Sequence, residues 1–363
     1  MGESLRIVQV NPFYYPFRGG IEHRIHNISK RLATKHEVHV LTAQLPDTTP
    51  REIIDGYEVV RLPSRFYGNY NPPYVSTPGL MEALEELRPD IVDLHYRWAP
   101  SYTRLARKYQ GRKVFTFHNT FGEGAGLTRL PSLVNDHLWL KHLGKFEKVV
   151  CISEFIRNDL IRRGLCQERL ITIPNGVDLP DGDIKIEEKD FILFVGRLVG
   201  TKGLPYLVRA MKHIDSRLVI VGGGPEEKRL KALISRTGLG SKIEMTGKVS
   251  EDRKKELLAS CKLFVMPSLF ESYGIAVAEA MSYGKAIVAT DVGGLPEVVG
   301  QGGLLCRPRD ATDLADKVNQ LLSDERERMI KGMDAREHVN KFSWDFIANK
   351  YEGLINQMEH LIY

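Results

Sequence analysis

The chain has 363 residues, 42% of them hydrophobic and 27% charged, with a formal net charge of +5. That length exceeds one ordinary core and fits two domains, and the composition excludes a disordered or low-complexity chain. No apolar run approaches the ~18–20 residues needed to span a bilayer. The surplus charge lies in the first half, since residues 1–180 carry 24 Lys/Arg against 19 Asp/Glu while the remainder has 27 of each. Two readings of that surplus stand side by side: ordinary surface variation, and attraction to an anionic lipid or anionic acceptor.

From Met1 the sequence runs straight into a strand pattern ending at Val10, which reads as a chain without a signal peptide and predicts a cytoplasmic protein. Short β-branched runs then alternate with helical stretches. Strands are expected at residues 5–10, 37–43, 91–95, 113–118, 148–153 and 170–174, and again at 191–196, 217–222, 242–247, 262–268, 286–290 and 303–306. Amphipathic helices are expected at 21–33, 226–237 and 252–260, with a last helix at 344–358. Near-continuous apolar runs such as Phe191-Ile-Leu-Phe-Val195 suit strands buried on both faces. Six strands on each side of a polar, turn-forming stretch at 178–190 predict two similar doubly wound parallel sheets with the linker there. Cys151, Cys166, Cys261 and Cys306 are too dispersed for a disulfide framework or zinc site and read as reduced thiols.

In such sheets, ligands bind on the loops beyond the carboxyl ends of the strands. Three loops have the composition for a phosphate. The first runs from Asn11 to Gly19-Gly20, and its paired glycines precede a helix whose free N–H groups favour an anion. It lacks the G-x-G-x-x-G spacing of a nicotinamide site. The second, Gly196-Arg197-Leu-Val-Gly200-Thr-Lys202-Gly203, is not a Walker loop but presents two cations suited to a diphosphate. A solvated basic turn is the other reading of this segment. The third is Gly222-Gly223-Gly-Pro225, again between a strand and a helix.

The most specific signal follows the strand at 262–268. Glu271 and Glu279 flank seven residues, and Gly274 stands where a helix should begin, with the amides of Gly274 and Ile275 free to meet a phosphate. Glu279 sits among Ala276, Val277, Ala278, Ala280 and Met281, and a carboxylate in such surroundings needs a partner.

This Glu-x7-Glu pattern matches the motif of retaining GT-B glycosyltransferases, and the chain resembles glycosyltransferase family 4 over nearly its whole length. The resemblance takes in Gly19-Gly20, Gly196-Arg197 with Lys202-Gly203, Pro174-Asn-Gly-Val-Asp178, residues 222–225 and the closing Phe342-Ser-Trp-Asp345. It implies the α/β GT-B fold, two Rossmann-like doubly wound parallel-sheet domains facing across a cleft. Residues 1–180 would form the acceptor-side domain, joined by the C-terminal helix 344–363, and residues 181–343 the nucleotide-sugar-binding domain. It further implies that Arg197 and Lys202 neutralise the diphosphate leaving group of a UDP-sugar or GDP-sugar donor. Gly19, Gly20, Gly223, Gly274 and Ile275 would bind phosphate and sugar, while Glu279 accepts from the ribose hydroxyls and Glu271 meets the donor sugar. The loop Thr246-Gly-Lys-Val249 would reach the nucleobase through its backbone, and His118 would lie at the reacting face. His95, two residues after Asp93, reads as structural.

The same resemblance implies front-face substitution with retention and no metal or other cofactor. Asp181-Gly-Asp183 reads as a linker turn, and His36-Glu-Val-His39 lacks the spacing of a zinc motif. The acceptor would be lipid-linked or an oligosaccharide. The stretch from Arg61 to Tyr74, with Arg65, Phe66, Tyr67, Tyr70 and three prolines, reads as an irregular loop able to dock on an anionic membrane at its cytoplasmic face, or equally as solvated surface. Nucleic acid is excluded as a partner because no recognised binding motif accompanies the charge. A nucleotide-sugar epimerase, another GT-B enzyme such as a phosphorylase, and a non-catalytic nucleotide-sugar-binding subunit remain as alternatives.

Overall fold

The structure, a computed structural model, describes residues 3–67, 74–119, 129–180, 182 and 188–359. The chain divides into two compact units, Met1–Asn175 with Trp344–Tyr363, and Gly176–Ser343. The division falls ahead of position 180, where the linker composition had suggested it. Asp181 and residues 183–187 lie outside the described residues.

The first unit holds an eight-stranded sheet. Its strands are β1 (Arg6–Val10), β2 (Glu37–Ala43), β3 (Arg51–Ile54), β4 (Tyr57–Leu62), β7 (Ile91–Leu94), β8 (Lys113–Phe117), β9 (Lys148–Cys151) and β10 (Leu170–Thr172), in the order β10-β9-β8-β7-β1-β2-β4-β3. Every pairing is parallel except β3 with β4. The helices α1 (Gly20–Leu32), α2 (Leu80–Leu87), α3 (Pro100–Lys108), α4 (Arg129–Leu143) and α5 (Glu154–Arg162) fill the crossovers.

Six strands were expected here, and the two extra ones come from a hairpin. Asp55 and Gly56 turn at φ +45° and +88°, the left-handed pair that a two-residue hairpin requires. The expected loop from Arg61 onward is also corrected. Arg61 lies within β4, is buried, and bonds Glu52 and the carbonyls of Thr49 and Tyr15. Beyond it β5 (Arg65–Tyr67) and β6 (Tyr74–Ser76) pair as an antiparallel hairpin with Phe66, Tyr67 and Tyr74 exposed. Tyr70, Pro72 and Pro73 lie outside the described residues.

The last helix, α13 (Trp344–Glu359), belongs to this unit. Trp344, Ile347, Tyr351, Leu354, Ile355 and Met358 recur at helical spacing and join Ile7, Val38, Val40, Ile91 and Val114 in one core. Each such side chain contributes roughly 1.5–3 kcal/mol of burial. Arg31–Asp345 at 2.6 Å and Lys35–Glu352 at 2.8 Å fasten α13 along α1.

The second unit is a six-stranded, wholly parallel sheet: β11 (Phe191–Val195), β12 (Arg217–Val221), β13 (Ile243–Gly247), β14 (Leu263–Met266), β15 (Ala286–Thr290) and β16 (Gly303–Cys306), in the order β13-β12-β11-β14-β15-β16. Its helices are α6 (Leu204–Ala210), α7 (Glu227–Arg236), α8 (Glu251–Ser260), α9 (Ile275–Ser282), α10 (Leu295–Val299), α11 (Ala311–Ser323) and α12 (Glu325–Val339). Strand order reverses between β11 and β14, so the loops after those two strands flank a topological switch point. Cys151, Cys261 and Cys306 are buried free thiols and Cys166 is an exposed one. Among the described residues no helix is long and apolar enough to cross a membrane.

Candidate functional site

The switch point of the second unit gathers the residues that the sequence singled out there. After β11 the chain is held by backbone bonds: Leu198 N donates to Gly223 O at 3.0 Å and Lys202 N to Val199 O at 3.0 Å. Leu198 is buried, whereas its neighbour Arg197 is exposed, and among the described residues no group pairs with the Arg197 guanidinium. Thr201 O accepts from Leu269 N at 2.7 Å and from Phe270 N at 3.3 Å, which sews the loop after β11 to the loop after β14. The result is a direct ion pair between Lys202 Nζ and Glu271 Oε2, with both side chains 16% exposed. A half-buried pair of this kind is held by Coulomb attraction in a reduced dielectric.

Glu271 is fixed from its other side as well. Gly294 N donates to Glu271 O at 3.0 Å, and a Cβ on Gly293, at φ +59°, would stand 1.8 Å from that same carbonyl. Only glycine permits this approach. Gly274 precedes α9 at φ +109° and contributes no side-chain cap, so the first amides of α9, including Ile275, are left for another acceptor. Helices α5, α8, α11 and α12 differ, being capped by Ser153, Ser250, Asp310 and Asp324.

Glu279, just over one turn into α9, has the partner its apolar surroundings demand. Lys254 Nζ from α8 lies 3.0 Å from Glu279 Oε1 and 2.8 Å from Glu251 Oε2. Burial alone would push Lys254 down, but Glu279 and Glu251 more than offset it and raise the ammonium above its ordinary value. Gly223 is half-buried after β12, and Val249 is half-buried just past β13. Gly222 N donates to Gly247 O at 2.8 Å, which brings those two loops together.

In the first unit Gly19 and Gly20 open α1 without a side-chain cap. Glu22 fills that place from inside the helix. One carboxyl oxygen accepts from Asn11 Nδ2 at 3.1 Å and the other approaches Gly19 so closely that a Cβ there would stand 2.5 Å from it. Burial pushes the Glu22 carboxyl up to about 7, against the pull of its backbone and Asn11 hydrogen bonds.

His118, just past β8, is buried, and its Nε2 lies 2.9 Å from His95 Nδ1. His95 Nε2 in turn lies 2.5 Å from Gln9 Oε1 and 3.4 Å from Asp93 Oδ2. Burial lowers His95 to about 4, and burial with the charges of Arg24 and Arg97 and the His95 ring pushes His118 well below the ordinary histidine value. Both imidazoles are therefore neutral at pH 7. His95, read from sequence as purely structural, is the direct partner of His118.

Sequence reasoning thus missed Glu22, Gly293, Gly294, Lys254 and the link through His95. The glycine pair at 293–294 follows a strand and precedes a helix, the same signal that drew attention to Gly19-Gly20. Lys254 has no local signal, because its role arises from the packing of α8 beside α9.

Comparison with known proteins now bears on these loops. Residues 18–180 match the family model described as Glycosyltransferase Family 4, and residues 181–338 match the one described as Glycosyl transferases group 1. An uncharacterized glycosyltransferase of Methanocaldococcus jannaschii is 30% identical over 339 residues, covering 92% of this chain and 93% of its own. The chain belongs to glycosyltransferase family 4. This family 4 chain is also 28% identical over 369 residues to the phosphatidylinositol N-acetylglucosaminyltransferase gpi3 subunit of Schizosaccharomyces pombe, covering 96% of this chain and 80% of that one. Its fold is shared with sucrose-phosphate synthase from Thermosynechococcus elongatus, at a TM-score of 0.82, 20% identity and coverage of 98% and 100% of the two chains. Anabaena HepE, solved in complex with UDP and glucose, gives 0.77 at 19% identity, with 97% and 99% covered. Both units of this family 4 chain are Rossmann-like, and the fold is GT-B.

Proposed function

We propose that this family 4 glycosyltransferase moves a hexosyl unit, of the mannose, glucose or N-acetylglucosamine class, from a nucleoside-diphosphate sugar to a lipid-linked or glycan acceptor with retention. The observation that carries the reading is the ion pair of Lys202 with Glu271 beside exposed Arg197 and the uncapped start of α9. Two cations and free helix amides at a switch point suit a diphosphate, and a lysine already poised on a carboxylate needs little reorganisation to meet one.

In this reading Arg197 and Lys202 stabilise the negative charge that grows on the departing diphosphate, which is the main catalytic contribution. Gly274 and Ile275 give their amides to phosphate, Glu271 holds the donor sugar, Glu279 accepts from the ribose hydroxyls, and Gly223 and Val249 border the nucleotide. Gly19, Gly20 and His118 serve the sugar from the first unit. No carboxylate is assigned as nucleophile, so the reaction is written as front-face substitution in which the leaving diphosphate helps to deprotonate the acceptor. No metal is required in this account.

A lipid acceptor is supported by the phosphatidylinositol acceptor named for the fission-yeast relative and by the exposed aromatics Phe66, Tyr67 and Tyr74 on the β5–β6 hairpin. Peripheral contact with an anionic membrane at the cytoplasmic face belongs to the same proposal. The test is release of nucleoside diphosphate from a panel of UDP- and GDP-sugars, with and without polyprenyl-phosphate-linked or phosphatidylinositol acceptors. Acceptor-dependent release supports transfer. Donor isomerisation without acceptor would make the chain an epimerase, and binding without turnover would make it a non-catalytic subunit.

A further inference from the structure

Six buried polar side chains of the first unit form one connected line. Tyr351 of α13 has its hydroxyl 2.5 Å from Asp93 Oδ2, and Thr116 Oγ1 lies 2.9 Å from each oxygen of the same carboxyl group. Gln9 Nε2 donates to the Tyr351 hydroxyl at 3.4 Å, and Gln9 Oε1 faces His95 Nε2. His95 Nδ1 then faces His118 Nε2 at 2.9 Å. Gln9, Asp93 and Thr116 sit on the neighbouring strands β1, β7 and β8, with Gln9 directly opposite Asp93, so the sheet itself sets their spacing.

The direction of every hydrogen bond in this line is decided by its far end. The carboxyl of Asp93 accepts from two hydroxyls, so Tyr351 spends its proton there and offers only a lone pair to Gln9. The Gln9 amide must then point its nitrogen at Tyr351 and its oxygen at His95. Nε2 of His95 meets two acceptors, Gln9 Oε1 and Asp93 Oδ2 at 3.4 Å, and must carry the hydrogen. A neutral His95 then has a bare Nδ1, which can only accept, so the hydrogen between the two rings belongs to Nε2 of His118. Among the described residues Nδ1 of His118 has no hydrogen-bond partner.

We infer that Asp93, Tyr351, Gln9 and His95 are positioning residues that fix the tautomer of His118, leaving its Nδ1 as a hydrogen-bond acceptor for a sugar hydroxyl. The use of that atom in transfer rests on the functional reading above; the tautomer does not. The last helix returns to the first unit and brings Tyr351 to Gln9, 342 positions away in sequence. The charged groups that face the rings are Arg24 from α1, Arg97 and Asp93, and burial, aided by the His95 ring and the two arginines, keeps His118 uncharged.

The test uses the whole chain labelled with 15N-histidine, with His95→Gln and His118→Gln variants to assign two of the 11 histidines. Long-range 1H–15N spectra should show His95 and His118 protonated on Nε2 only, with neither titrating between pH 5 and 8. In Tyr351→Phe the His118 signals should move toward a mixture of tautomers, and kcat should fall about 10-fold, the size of one lost hydrogen bond, with donor KM within about twofold. A His118 found with its proton on Nδ1, or charged at pH 7, overturns the inference in the wild-type protein without recourse to any variant. Unchanged kcat in Tyr351→Phe, with tautomers mixed, removes the link to transfer. The expected tautomer in a chain that transfers from no donor sinks the functional reading and leaves the hydrogen-bond line standing.

Discussion

Lys254 Nζ stands 3.0 Å from Oε1 of Glu279, and the same ammonium reaches Glu251 at 2.8 Å. One carboxylate of the Glu-x7-Glu motif is thereby held by α8 and the other, Glu271, by Lys202. Each glutamate is pre-set by a lysine from a different loop or helix, and a ligand arriving there meets oriented groups.

Removing Glu279 and removing Lys202 should give different kinetics. Glu279→Ala should weaken donor binding by about 10-fold or more, because a ribose contact and the Lys254 partner are lost together. Lys202→Ala should mainly slow turnover, by about 100-fold, as expected for a charge that acts on the leaving group. Initial-rate measurements across donor concentrations separate the two, and wild-type behaviour in both variants would remove the site assignment.

Two glycines at positive φ, one packed on Glu271 and one in open space, make a graded pair. Gly293→Ala places a Cβ 1.8 Å from Glu271 O and should cost several kcal/mol or displace the loop. Gly164→Ala, at φ +90° with nothing within 4 Å, should cost only about 1–2 kcal/mol of backbone strain. Urea denaturation of both variants checks the order.

Glu22 should leave a mark on stability against pH. Its carboxyl is raised by burial from 4.5 to about 7 in the folded chain, so folding binds its proton more tightly. The stabilisation is fully present below pH 4.5 and is lost as pH rises through 7, amounting to roughly 3 kcal/mol at most. Glu22→Gln should flatten that part of the profile. A melting-temperature series from pH 4.5 to 8 that has the same slope in both proteins would contradict it.

Thiol chemistry should distinguish the cysteines. Cys166 is exposed, while burial pushes Cys151, Cys261 and Cys306 each up to about 12. A thiol-reactive dye should modify one cysteine quickly in the native protein and the other three only on unfolding. Rapid labelling of more than one would show the cores to be more open than described.

Much of the architecture was legible because parallel strands buried on both faces leave an unmistakable record. Phe191-Ile-Leu-Phe-Val195 and its five companions gave every strand of the second sheet. The hairpin of β3 and β4 escaped because it lies at a sheet edge, where Arg51 and Glu52 alternate with Ile53 and Ile54 and no long apolar run forms. Its one local sign was Asp55-Gly56. Prolines after Arg61 suggested a loop, yet β4 ends at Leu62, just ahead of Pro63. In the site, Arg197, Lys202, Glu271 and Gly274 sit within a few residues of strand ends and were readable from spacing. Glu22, Lys254 and the line from Asp93 to His118 depend on burial and on neighbours far away in sequence, which no local pattern carries.

The most direct measurement is a calorimetric titration of UDP and GDP into the wild-type chain and into the Arg197→Ala/Lys202→Ala double variant. The account predicts that one of the two nucleotides binds the wild-type protein and that the double variant binds it at least about 100-fold more weakly, since two charge-assisted contacts are lost. Equal affinity in the two proteins, or no binding of either nucleotide to the wild type, would contradict it.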